Sequence, residues 1–204
     1  MSAQVLSVSL PSEIIYVSGT VNGTAYTWTL IEGAWTATVE RAADDTYAVA
    51  LTAVTAAGVS TNYALTLYYG LLSLITDRTR ADVVNKTAKG FYNASDLNRV
   101  GAAVQYVAER FAAQGYAVAV SPKTDWLASD IPTASELETY RQNIAALRAL
   151  LAVMPTTPKA PDSMAGLTYT EANSIEQILL DLDALLTNAA AAWYQSGELF
   201  AGEV

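Results

Sequence analysis

Apolar and polar residues alternate through the first third of the chain. Tyr26, Trp28 and Leu30 occupy one face of a predicted strand, and Thr27 and Thr29 the other. After Glu32-Gly33, Trp35, Ala37 and Val39 alternate with Thr36 and Thr38, the pattern of a hairpin. Tyr47, Val49, Leu51 and Ala53 continue the period, and Ala57-Gly58 predicts a turn. Val59, Thr61, Tyr63, Leu65 and Leu67 form a last strand, while residues 5–10 and 13–17 are shorter candidates separated at Pro11. Beyond Tyr92 the period becomes helical. Leu97, Val100, Val104, Val107 and Phe111 predict a helix over 96–114, with Ser95 as its N-cap and Gly115 as its stop. Thr133-Ala-Ser-Glu136 reads as a capping box opening a helix over 133–154, ended by Pro155. Thr168-Tyr-Thr-Glu171 opens another over 169–193, and a shorter helix is expected over 80–89. Residues 155–161, with three prolines, predict a stiff extended crossing.

This change of period coincides with a change of composition. Residues 1–70 hold one basic residue, Arg41, and 11 threonines, whereas residues 71–204 hold the other 10 basic residues. The expected fold class is therefore α+β and multidomain. Residues 1–70 should form a β-sandwich, and residues 71–204 a helical bundle with a C-terminal tail. Asp45-Thr-Tyr47, just before a strand, looks like the tyrosine corner of immunoglobulin-like domains, in which a buried Tyr hydroxyl bonds back to the backbone. The first half is thus expected to be Ig-like.

Composition narrows the chemistry. The 204 residues contain no histidine and no cysteine, so disulfides, thiolate nucleophiles, Cys-ligated zinc and Ser-His-Asp catalysis are excluded. No cofactor, metal site or catalytic residue is expected, and the protein reads as non-enzymatic. Eleven basic against 20 acidic residues give a net charge of −9, which disfavours nucleic-acid binding. No stretch approaches a membrane span, and the N-terminus lacks the basic and apolar regions of a signal peptide, so synthesis in a cytoplasm is expected.

Several side chains invite a chemical reading. Asp181 and Asp183, with Glu176 a turn earlier, read as a solvated helix face, because i,i+2 residues point apart. Asp44-Asp45 reads as a polar turn and not a calcium loop. Asn98, Asn143 and Asn173 each sit beside an apolar stripe position, although Asn is a poor helix residue. They fit an amide-lined ligand pocket, or a structural network bonding to the bundle and to non-helical connections; the structural reading is the expectation. Arginines 78, 80, 99, 110, 141 and 148 are diluted by nearby acids, so ion pairs are expected. Trp28, Trp35, Trp193, Tyr194 and Phe200 are the candidate interaction aromatics, with Trp126 a further sugar-stacking candidate beside Trp28 and Trp35.

Five segments in order carry a resemblance. They are Leu71-Leu-Ser-Leu-Ile-Thr-Asp-Arg-Thr79, Tyr92-Asn-Ala-Ser-Asp-Leu-Asn-Arg-Val100, Lys123-Thr-Asp-Trp126 with Ile131-Pro132, Ala172-Asn-Ser-Ile-Glu-Gln-Ile178, and Ala192-Trp-Tyr-Gln-Ser-Gly-Glu198. Together they resemble uncharacterised structural proteins of phages and prophages of Firmicutes-type bacteria, which often attach an Ig-like domain to such a helical module. The resemblance implies a tail- or baseplate-associated virion component, made in the host cytoplasm. Its implied partners are other virion proteins and further copies of itself, without membrane. It supplies no catalytic residues. A carbohydrate-binding adhesion module, with weak glycan contact through exposed aromatics, is the alternative expectation.

Overall fold

The computed structural model describes residues 3–43, 45–71 and 73–196, with side chains through 189. Among the described residues are seven strands in two antiparallel sheets, followed by four α-helices, an α+β architecture. Two compact units form. The first contains Met1–Leu74, Phe91–Ala103 and Lys123–Thr133; the second contains Ile75–Gly90, Val104–Pro122 and Ala134–Val204.

In the first unit the strands are β1 (Ala3–Val8), β2 (Ile14–Val21), β3 (Thr24–Thr27), β4 (Thr29–Ile31), β5 (Ala34–Glu40), β6 (Thr46–Thr55) and β7 (Ser60–Tyr68). They are ordered β1-β5-β4 in one sheet and β3-β2-β6-β7 in the other. Both sheets contribute inward-facing residues to one buried cluster, including Leu6, Val17, Trp35, Val49 and Leu65. Glu32 and Gly33 have φ of 50° and 86°, the left-handed pair that a two-residue hairpin between β4 and β5 requires. The alternation from Tyr26 to Leu30 predicted one strand. Instead the backbone breaks at Trp28, β3 joins one sheet and β4 the other, and the buried indole sits at the crossing.

Tyr47 is buried, and its hydroxyl accepts the Ala42 N–H at 3.0 Å, the upstream backbone bond expected of it. Arg41 holds the Asp45 carboxylate with two bonds of 2.8 Å. Tyr69 packs edge-on to Tyr47, with ring centroids 5.6 Å apart, and its hydroxyl donates to the Val5 carbonyl of edge strand β1 at 3.2 Å. Asp125 accepts the Ser9 N–H at 2.5 Å just beyond that strand.

The helices are α1 (Arg80–Val84), α2 (Ala94–Ala113), α3 (Ala134–Ala149) and α4 (Tyr169–Ser196). The division between units falls inside α2. Helix α2 starts two residues before its expected first residue. Asn93, not Ser95, caps it, accepting the Ser95 N–H at 2.9 Å while Asp96 accepts the Asn93 N–H at 2.9 Å. At its other end Gly115, at φ 87°, makes a Schellman stop: Tyr116 N–H bonds Phe111 O and Gly115 N–H bonds Ala112 O. The Tyr116 ring closes it edge-on against Phe111. Helix α4 opens at the expected capping box, with reciprocal Thr168 and Glu171 bonds of 2.8 and 3.2 Å.

Helix α3 ends at Ala149, short of the expected Met154, which is half exposed. There Arg148 turns its guanidinium onto the Pro158 and Thr157 carbonyls at 2.5 and 3.2 Å, tying down the proline-rich crossing. In the second unit, buried Val107 and Phe111 of α2, Ile144 and Leu147 of α3, and Ile175, Leu179, Leu182 and Leu186 of α4 supply the apolar interior. Arg110 pairs with Asp183, and Gln114 donates to the Leu186 carbonyl at 3.0 Å, linking α2 to α4.

Burial, with Tyr47 adding to it, pushes Tyr69 from 10.0 up to about 12, although its contact with the Ser7 backbone acts the other way. The neutral phenol is the folded form, so its contribution is full below the unfolded value of 10.0 and is lost as pH rises towards about 12. Tyrosinate absorbance should show a late-titrating component that is absent from Tyr69→Phe. Stability measured by denaturant should fall across that window more in wild type than in the variant.

Candidate functional site

The first unit contains a half-open cleft of about 820 Å³. Its floor is the outer face of β2, β6 and β7, where Thr20, Ala48, Ala50, Ala64 and Thr66 present short side chains. Its walls are the start of α2, with Tyr92, Asn93 and Ser95, and the segment carrying Trp126, Leu127, Asp130 and Pro132.

That segment lies in no helix or strand, so its backbone groups need other partners. The buried Asn98 amide supplies them in both directions. It accepts the Trp126 N–H at 2.6 Å, and donates to the Trp126 carbonyl at 3.0 Å and to the Thr66 carbonyl of β7 at 3.3 Å. Gly101 lets the same segment approach the bare α2 backbone, since a Cβ there would lie 2.4 Å from the Lys123 carbonyl oxygen. Asp130 closes the turn, accepting the Leu127 N–H at 3.0 Å and Lys123 Nζ at 3.2 Å. The Lys123 ammonium also lies 3.9 Å from the Trp126 ring centroid. Trp126 Nε1 is buried without a hydrogen-bond partner among the described residues. Asp130 is the one carboxylate among the residues lining the cleft, and it is held by Lys123. The arrangement offers a shaped, mainly apolar binding surface.

Asn143 and Asn173 lie in the second unit and serve the same purpose as Asn98. Asn143 accepts the Ser121 N–H at 3.1 Å. Asn173 accepts the Arg78 N–H at 3.0 Å and donates to the Arg78 carbonyl at 2.9 Å. The three amides do not line one pocket, and no hydrogen bond joins them among the described residues; each bonds the backbone of a different connection.

The sequence reading missed Glu176. Expected on a solvated face, it is 0 % exposed and pairs with buried Arg78 at 2.8 Å. Its second oxygen accepts the Ile75 N–H at 2.5 Å, while Arg78 donates to the Ile75 carbonyl at 2.8 Å. The signal was present: Glu176 falls four residues after Ala172 and three before Leu179, on the apolar stripe. Asp183 pairs with Arg110, and Asp181 accepts from Gln177 at 2.7 Å. Arg99 pairs with Asp96, and Arg141 with Glu138.

The candidate aromatics separate differently. Trp28 and Trp35 are 5 % and 7 % exposed, inside the cluster of the first unit, so neither offers a face to a glycan. The side chains of Trp193 and Tyr194, and all of Phe200, lie outside the described residues. No group of three or more potential metal ligands occurs among the described residues, and no described helix is long and apolar enough to cross a membrane. No protein-family model, curated protein or solved structure matches this chain.

Glu176→Gln removes the Glu176 charge from beside the buried Arg78 guanidinium, and should cost about 3–5 kcal/mol in chemical denaturation. Asn173→Leu strips both bonds from the Arg78 backbone, and should cost about 2 kcal/mol or more, read as a lowered Tm.

Proposed function

We propose that the protein is a non-enzymatic phage virion structural subunit, tail- or baseplate-associated, acting through assembly with itself and other virion proteins. In this reading the first unit is an Ig-like sandwich and the second a helical bundle. The strand order supports the sandwich: β1-β5-β4 corresponds to strands B-E-D, and β3-β2-β6-β7 to C′-C-F-G. Tyr47 then stands near the start of strand F, at the E–F corner, where the tyrosine corner belongs.

The observation that carries the assembly role is the surface of the β1-β5-β4 sheet. Val5 and Ile31 are 56 % and 53 % exposed on its outer face, and Thr36 and Thr38 of β5 face the same way. A mostly uncharged sheet with exposed branched side chains suits lateral packing against neighbouring subunits. The virion placement draws its support from the ordered segments at 71–79, 92–100, 123–132, 172–178 and 192–198 that resemble phage structural proteins. With Trp28 and Trp35 buried, a glycan-binding role through those rings loses its surface.

Mass spectrometry of gradient-purified particles, followed by antibody labelling in electron micrographs, tests the reading. The protein should be found in intact particles at the tail. Its absence from them would contradict a virion role.

A further inference from the structure

Asn22 and Gly23 make the two-residue turn between β2 and β3, at φ of 49° and 81°. Both are exposed. Strand β6 runs on past the end of β2, beyond the last paired residues Val21 and Val49. Its next backbone groups therefore need other partners, and Asn22 supplies them. The Asn22 N–H donates to the Ala48 carbonyl at 2.8 Å, and the side-chain Oδ1 accepts the Ala48 N–H at 2.8 Å. Nδ2 donates to the Thr46 carbonyl at 3.4 Å. The amide stands in for a peptide unit and carries the ladder one step further. The same dipeptide is chemically labile. Asparagine is among the thermolabile residues, and a following glycine, with no side chain, leaves its nitrogen free to approach the asparagine Cγ. Of the eight asparagines in the chain, Asn22 alone precedes a glycine. A Cβ on Gly23 would touch nothing within 4 Å, so no neighbour shields its backbone.

We propose that Asn22-Gly23 is a site of spontaneous deamidation that the contacts with β6 hold off, and whose conversion to isoaspartate unpins this end of the sheet. The Gly23 nitrogen gives its proton to solvent base and bonds to Asn22 Cγ. The Cγ–Nδ2 bond breaks, and ammonia leaves. Water then opens the resulting succinimide at either carbonyl, leaving aspartate or isoaspartate at position 22. Water is the only co-reactant. The first step needs Cγ to swing onto the Gly23 nitrogen, so the side-chain bonds to Ala48 and Thr46 must first release. Either product loses the contact with Thr46, because a carboxylate has no proton to donate and sets oxygen against oxygen. Isoaspartate also adds a methylene to the main chain, which lengthens a turn built for two residues. The new charge lies beside the cleft, whose lining includes Thr20, Gly23 and Ala48.

Ageing the full chain at mildly alkaline pH, folded and in concentrated urea, tests this, with peptide mass mapping and enzymatic methylation of isoaspartate as readouts. In urea, position 22 should convert ahead of the other seven asparagines. In the folded chain it should convert at least about tenfold more slowly, through local opening. Ala48→Pro removes the N–H bonded to Asn22 Oδ1, and should convert severalfold faster than folded wild type. If that variant loses its circular dichroism spectrum, Val49→Ala, which loosens the last β2–β6 pair, replaces it. The separated isoaspartate product should exchange its Ala48 amide faster than unconverted protein and melt at a lower temperature. Equal conversion in folded wild type and in urea, or a folded variant that converts no faster than wild type, overturns the proposal. So does an isoaspartate product whose Ala48 amide exchanges as before.

Discussion

Backbone that is buried outside helix and strand must still find hydrogen-bond partners, and much of this structure follows from how that need is met. Three connections pack against helices, and each is held by a helix side chain reaching out to main-chain atoms. Asn98 holds Trp126, Asn143 holds Ser121, and Asn173 holds Arg78. Glu176 and Arg78 extend the scheme with a buried ion pair whose two members also bond the Ile75 backbone. An amide suits this work because it donates and accepts at once, matching a peptide unit in both senses. Burying the charges has a large desolvation cost, so the added backbone bonds are what make the pair tolerable.

The same clamps shape the cleft of the first unit. Asn98 fixes the Trp126 segment against α2 and β7, and Gly101 permits its close approach. Most of the polar side chains described in these interiors are therefore engaged in holding the chain's own path. What remains towards solvent in the first unit is shape, short side chains and sheet edges.

Elements governed by local chemistry were legible in the sequence. The period-two runs found their strands, Glu32-Gly33 its hairpin, Gly115 its stop and Thr168-Glu171 its cap. Tyr47 bonded upstream backbone as its position before a strand predicts. Features decided by distant partners were not legible. Alternation through Trp28 continues unbroken, yet the strand divides there between sheets, because a two-sheet core needs the chain to cross. The end of α3 was misplaced: Pro155 marked the expected stop, yet the helix ends at Ala149, where Arg148 bonds carbonyls of the following crossing. Glu176 was assigned to solvent by residue type, although its spacing placed it on the buried stripe. The three asparagines stood out for being unsuited to helices, but only the fold reveals which backbone each one holds.

Native-state hydrogen exchange on the amides of Arg78, Ser121 and Trp126 tests the central claim most directly. None of the three lies in a helix or strand, and each donates to a helix asparagine. The account predicts that they exchange as slowly as amides in the middle of α2 and α4, through large-scale opening. Exchange at the rate of exposed turns, such as that at Ala57-Gly58, would contradict it.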